Sequence, residues 1–276
     1  MIMTDEAIGR AWPLPAVAAL DDDRLLECYA IADRSRPSVR FNFVSSIDGA
    51  ATADGLSGGL SGKADKRVFD ILRRLCDVVL VGAGTLRAEG YGAMRLDAAS
   101  VQWRRASGLT DHPVFAIVSG RLDLDAASPV FTEAPVRPIV VTVGASPRTK
   151  KEALSRVAHV LVCGEARLDV RVMLAEFTRR GLRQVLSEGG PTLFGTLLEA
   201  DCVDELCLTI SPLIEAGNAP RIAAGTLRKA RRMALHHILL SDSSLLLKYR
   251  RTSAESSSAE GARAAWPDAH GSFREL

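Results

Sequence analysis

Several familiar binding signatures are missing from this 276-residue chain. Its five cysteines, Cys28, Cys76, Cys163, Cys202 and Cys207, form no C-x-x-C pair and have no histidine nearby at zinc-ligand spacing. No bound metal is therefore expected. Cys76, Cys163 and Cys207 sit in apolar runs and read as small core residues. With their odd number and no signal-peptide pattern, they suggest a reducing, cytoplasmic setting. No apolar run is long enough to span a bilayer. A formal charge of +2 leaves no basic stripe, which argues against nucleic acid as the main partner. The arginine pairs at 73–74, 104–105, 179–180 and 231–232 read as solvated helix faces. There is no internal repeat.

What the chain has is 47% apolar residues, enough to bury the core of one large α/β domain. The first segment, to about Ala19, reads as irregular, with Asp21 capping a helix over 22–32. Alternation at 39–46 marks a first strand. A glycine- and serine-rich loop at 55–62 follows, either folding over a ligand or lying plainly on the surface, and then a helix over 64–76. Apolar strands at 77–81, 112–118, 138–143 and 159–163 alternate with helices near 101–106, over 148–157 and over 170–180, the last closed by Gly181. That alternation implies a mostly parallel sheet with helices on both faces. After a helix over 191–200, an alternating strand at 203–210 and a hairpin of 235–240 with 245–249 across Asp242-Ser243 should finish the sheet antiparallel. The expected division is an N-terminal extension (1–38), a main domain (39–251) and a disordered tail (252–276), whose only aromatics are Trp266 and Phe273.

Two of these strands run into glycine. V-L-S-E-G-G-P-T-L at 185–193 passes from an apolar strand through a glycine pair into a helix whose first residue is Pro191. Glycine lets main chain approach a ligand, and Pro191 gives up only an N–H that a helix start leaves unpaired. Free amides with a helix dipole favour a phosphate, which points to a nucleotide. An ordinary strand-to-helix turn is the competing reading. D-V-V-L-V-G-A-G-T at 77–85 offers a second glycine turn. The Rossmann fingerprint would need glycine where Arg87 stands, and the P-loop's Gly-Lys-Ser/Thr is absent. A pyrophosphate gripped between two such turns on neighbouring strands remains, with Thr85 and Arg87 beside it.

Taken together, S-S-I-D-G at 45–49, L-R-R-L-C-D-V-V-L-V-G-A-G-T at 72–85, S-E-G-G-P-T-L at 187–193 and V-D-E-L-C-L-T-I-S-P-L-I at 203–214 resemble the riboflavin-biosynthesis pyrimidine reductase family. The resemblance covers roughly residues 40–250 and implies a dihydrofolate-reductase-like fold. Neither H-x-E nor P-C-x-x-C, the signature of the zinc deaminase fused to bifunctional members, occurs here, so the chain resembles a stand-alone reductase.

Carried over by position, the resemblance implies NADPH, with its pyrophosphate near Gly189, Gly190, Pro191, Thr192 and Leu193. Ser45, Gly82, Gly84, Thr85 and Glu89 would complete the cofactor site. Ser119 would hold the 2′-phosphate with Arg121 assisting; without the family, Ser119-Gly120 reads as a simple turn. For the substrate it implies Asn42, Ser57, Arg73, Tyr91, Arg95 and Glu188, the two arginines suiting a phosphate. Hydride delivery to a ribosyl carbon also needs a proton, for which Asp48 and Glu188 are candidates, unless Asp48 merely caps the turn with Gly49. The implied reaction is NADPH-dependent reduction of 5-amino-6-(5-phosphoribosylamino)uracil by a homodimer, paired through an edge left by the strand at 203–210 and the hairpin from Leu235.

The chain departs from the family at 89–95, where E-G-Y-G-A-M-R replaces a D-N-P or D-D-P run followed by L-T-x-R. Tyr91 there suits stacking on a flat heterocycle. Two alternatives follow: a reductase of a related ring such as dihydrofolate or another pterin, or a nucleotide-binding protein without catalysis.

Overall fold

The computed structural model describes residues 7–227 and 229–252. In chain order its elements are β1 (Gly9–Trp12), α1 (Asp22–Tyr29), β2 (Ser38–Ser45), α2 (Lys63–Leu75), β3 (Val78–Gly82), α3 (Ala83–Ala88), α4 (Ala98–Ala106) and β4 (Val114–Val118). There follow α5 (Pro129–Thr132), β5 (Ile139–Thr142), α6 (Arg148–Leu154), β6 (His159–Val162), α7 (Val170–Arg179), β7 (Gln184–Ser187), α8 (Pro191–Glu199), β8 (Glu205–Ile210), β9 (Met233–Ser241) and β10 (Ser244–Arg251). Apart from Thr252, the expected tail, with Trp266 and Phe273, lies outside the described residues.

All ten strands form one sheet in the order β1-β9-β10-β8-β2-β7-β3-β4-β5-β6. From β8 to β6 every pairing is parallel; β8, β10, β9 and β1 pair antiparallel. Val78, Val79, Leu80 and Val81 have no exposed surface, as a strand covered on both faces requires. On one face Val68, Ile71, Leu72 and Leu75 of α2 pack with Leu25 and Leu26 of α1 over Val79, Val81 and Ile117. Their i, i+3, i+4, i+7 spacing gives α2 its single apolar stripe. On the other face Met173 and Phe177 of α7 and Leu193, Phe194 and Leu197 of α8 cover Phe41, Val78 and Leu80.

Local chemistry sets the ends of the helices. Asp21 accepts from the Arg24 amide at 2.9 Å, Asp97 from that of Ser100 at 2.6 Å, and Asp169 from those of Arg171 and Val172; each caps its helix. Gly181 follows α7 with φ +79°. In the hairpin Asp242 has φ +51°.

Three expectations change. The opening segment is not wholly irregular: residues 9–12 pair with β9, because that strand offers an unpaired edge that four residues can satisfy whatever their own periodicity. The edge expected from the strand at 203–210 and the hairpin is covered as well: β8 lies between β10 and β2, β1 pairs along β9, and among the described residues the edge strands are β1 and β6. The arginine pairs are not all solvated. Arg104 has no exposed surface and donates to the carbonyls of Arg74, Cys76 and Thr110 at 2.6–2.8 Å, tying the end of α2 to α4.

Candidate active site

The chain runs outward from β2 through β3, β4, β5 and β6, then returns to place β7 between β2 and β3. Such a reversal opens a crevice at the carboxyl ends of the strands. A cavity of about 1050 Å³ lies there.

Its floor is the double glycine. Gly189 and Gly190 have φ +112° and +100°, a region that side chains rarely enter. A Cβ on Gly189 would meet Phe43 at 3.2 Å, and one on Gly190 would meet the Thr85 hydroxyl at 3.3 Å. Pro191 is the first residue of α8, and no side chain caps this helix. The amides of Thr192 and Leu193, both in the cavity wall, are those that a first helical turn leaves unpaired. On the neighbouring strand, the Gly82 amide donates to the Gly189 carbonyl at 3.3 Å.

The two seats are therefore adjacent, but the second is not a glycine turn. Gly82 has ordinary extended backbone, and α3 starts directly at Ala83, with Gly84 inside the helix. The β-branched run ends where helical hydrogen bonding takes over, and a Cβ on Gly84 would meet nothing within 4 Å. Gly82, Gly84 and Thr85 all border the cavity, as do Ser119, Gly120 and Arg121 after β4. Ser119 is buried, its amide donating to Val141. Arg121 is exposed and faces Asp123 at 3.3 Å, and Asp123 also takes Lys150 at 2.5 Å.

The opposite wall belongs to α2. Asp65, Phe69 and Arg73 line the cavity at i, i+4, i+8, one stripe of the helix. Arg73 donates through Nε and an Nη to the two oxygens of Glu188, at 2.5 and 2.7 Å, while its guanidinium lies 4.1 Å from the centre of the Phe69 ring. The Tyr91 hydroxyl donates to the same carboxylate at 3.1 Å. Burial and the neighbouring Glu188 hold the Tyr91 phenol far above its usual range. Its ring stacks on Phe115, centroids 5.8 Å apart, so one aromatic face is already covered. The Glu188 side chain has no exposed surface; this residue borders the cavity through its main chain and fixes Arg73 and Tyr91 with its carboxylate.

Other expected site residues stand as follows. Asn42 on β2 and Ser57 on the glycine-rich loop both line the cavity. Glu89 does too, and its carboxylate accepts the Ser57 amide at 2.9 Å, tying the glycine-rich loop to the end of α3. Ser45 is buried within the β2–β8 pairing and away from the cavity. Arg95 is exposed, outside the cavity wall, and donates to the Glu133 carbonyl at 3.0 Å. Asp48 is exposed as well. It binds the Ser46 hydroxyl and the amides of Glu215 and Ala216, which lower its pKa. It does not line the cavity.

The sequence reading missed Asp65 and Lys66, both in the cavity wall. The stripe of Asp65 and Phe69 with Arg73 was the available signal. Among the described residues no three His, Cys, Asp or Glu side chains converge as metal ligands, and no helix is long and apolar enough to cross a membrane.

The chain belongs to the RibD C-terminal domain family, which matches residues 37–247. It is 28% identical over 192 residues to the 2,5-diamino-6-ribosylamino-4(3H)-pyrimidinone 5′-phosphate reductase of Archaeoglobus fulgidus, covering 69% of this chain and 87% of that one. The reductase of the same name from Methanothermobacter thermautotrophicus is 32% identical over 189 residues, covering 67% and 82%. Among solved structures, a pyrimidine reductase-like protein from Corynebacterium diphtheriae shares the fold with TM-score 0.77 at 23% identity, over 85% of this chain and all of that one.

Proposed function

We propose that the protein is an NADPH-dependent reductase of a phosphoribosylamino-pyrimidine in riboflavin biosynthesis, the class that includes 5-amino-6-(5-phosphoribosylamino)uracil. The observation that carries the reading is one continuous cavity with an anion seat on one side, at Gly189, Gly190 and Thr192, and a polar wall of Asn42, Ser57, Asp65 and Arg73 on the other. Family membership and the names of the relatives agree with it.

The seat fits a pyrophosphate, because the positive φ angles of Gly189 and Gly190 leave main-chain amides bare at a helix start. Thr85 adds a hydroxyl, and Ser119 with Arg121 suits the 2′-phosphate that separates NADPH from NADH. When bound, the dinucleotide supplies a hydride for the ribosyl carbon, opening the sugar to a ribityl chain. The protein's part is alignment. Arg73, held by Glu188, presents a fixed guanidinium face, and the Glu89 contact sets the position of the Ser57 loop over the substrate.

Five free cysteines fit a reducing cytoplasm. A homodimer fits the exposed apolar group Ile47, Leu213 and Ile214, which is joined by the Ile47 amide donating to the Leu213 carbonyl. The test of function is to mix the protein with NADPH and the pyrimidine substrate and follow the absorbance of the reduced cofactor. Oxidation matched by ribityl product is expected; no oxidation at any pH overturns the reading.

A further inference from the structure

Four cations border the cavity: Lys66, Arg73, Arg87 and Arg121. Three of them are engaged. Arg73 is answered by Glu188, Arg87 donates to the Asp123 carbonyl at 3.0 Å, and Arg121 faces the Asp123 carboxylate. Lys66 is exposed, and among the described residues its ammonium makes neither a hydrogen bond nor an ion pair.

An exposed lysine on a helix ordinarily marks a solvated face. Here the placement differs. Lys66, Phe69 and Arg73 follow one another at i, i+3, i+7 and all border the cavity, one stripe of α2. The neighbouring arginines turn instead to α1 and α4, Arg67 to Asp22 and Arg74 to Ser100. Arg73 and Glu188 cancel each other's charge, and Arg95, the other cation expected for a phosphate, lies outside the cavity wall. An anion on this wall therefore has Lys66 to meet. The Ser57 hydroxyl borders the same space and has no partner among the described residues. Beside it Gly58, whose Cβ would meet nothing within 4 Å, leaves room.

We propose that Lys66, with the Ser57 hydroxyl, binds the phosphate of the substrate's ribosyl arm, and that this arm runs along α2 from Arg73 toward solvent. This rests on the reading that the cavity takes a phosphoribosylamino-pyrimidine, and it goes further by moving the phosphate away from the expected Arg73 and Arg95. Seven residues of helix separate Lys66 from Arg73, about 10 Å, so the two ends of the substrate are held by different turns. An ammonium is a point charge on a flexible stem. Exposed to water and next in the chain to Asp65, it gives a modest preference that salt removes; a buried arginine fork would give a larger one that salt spares.

The test is calorimetry with NADP+ present, comparing the ribosylamino-pyrimidine phosphate with the same compound stripped of its phosphate. The proteins are the wild type, Lys66→Gln and Lys66→Arg. The wild type should bind the phosphorylated compound about tenfold more tightly, and salt at about 1 M, where the screening length is about 3 Å, should remove most of that preference. At low salt Lys66→Gln should bring the two compounds within about twofold of each other, while Lys66→Arg keeps the preference. All three proteins should bind NADP+ and the dephosphorylated compound alike. A Lys66→Gln variant that retains the wild-type preference overturns the proposal, as does one that weakens both compounds equally or loses NADP+ instead. If the wild type binds neither compound, the pyrimidine reading itself fails and takes the proposal with it.

Discussion

Arg73 and Glu188, 115 residues apart in the chain, meet through two parallel hydrogen bonds of 2.5 and 2.7 Å. The carboxylate is wholly buried and the guanidinium nearly so. Removing one partner of such a pair strands a charge, at a cost of about 3–5 kcal/mol. Arg73→Met should therefore lower the urea midpoint sharply, and Arg73→Met combined with Glu188→Gln should recover much of the loss. Additive effects in the double variant would show that the two side chains do not depend on each other.

At the glycine seat, Gly190→Ala places a Cβ 3.3 Å from the Thr85 hydroxyl on a backbone with φ +100°. Strain of at least about 1–2 kcal/mol follows for an L-residue there. NADPH affinity by calorimetry should fall about tenfold or more. Gly84→Ala, where a Cβ meets nothing within 4 Å, tests whether the cofactor itself needs that space: an equal loss is expected only if the dinucleotide lies against it.

The double glycine was legible in the sequence because glycine and proline carry backbone information by themselves: Gly189, Gly190 and Pro191 can be read without knowing any neighbour, whereas the expected turn at Gly82 to Gly84 is the start of α3. The sheet's parallel centre was equally open, since runs such as Val78 to Val81 state their own burial. Side-chain partners were not. Nothing local tells that Glu188 is answered by Arg73 and Tyr91, that Glu89 turns to the Ser57 amide, or that Asp48 is consumed by Glu215 and Ala216. Arg95 looked like a phosphate ligand by position, but the loop that carries it turns toward Glu133. β1 escaped notice because its partner, β9, is more than two hundred residues away.

Cofactor choice should depend on the group after β4. Ser119→Ala with Arg121→Ala is expected to raise the KM for NADPH about tenfold, the worth of one charge-assisted hydrogen bond, and to leave the KM for NADH little changed. A parallel rise for both dinucleotides would place the 2′-phosphate elsewhere.

Glu89 holds the glycine-rich loop at the cavity wall. Because its Oε1 holds the Ser57 amide, Glu89→Ala should raise the KM for the pyrimidine by about fivefold, with NADPH affinity unchanged in a binding titration. A selective loss of NADPH binding would restore it to the cofactor side.

Acid should destabilise the antiparallel end of the sheet. Burial holds His237 down to about 3, from 6.5. Glu205, despite its burial, is pulled to about 2 from 4.5 by Arg40 and Lys248. In both cases the unfolded chain binds protons that the folded one refuses, so stability falls as pH drops, from about 6.5 for His237 and from about 4.5 for Glu205. Urea midpoints measured against pH should show this slope. His237→Phe, keeping the edge-on contact with Tyr29, should flatten the part between 6.5 and 4.5.

The strand order carries a consequence for synthesis. β7 slots between β2 and β3, which the ribosome delivers over a hundred residues earlier. Until it emerges, those two early strands have a gap where their shared neighbour belongs, and the positive-φ glycines that floor the cavity are not yet made. The cavity is thus assembled only once β7 and the start of α8 have followed the strands on either side.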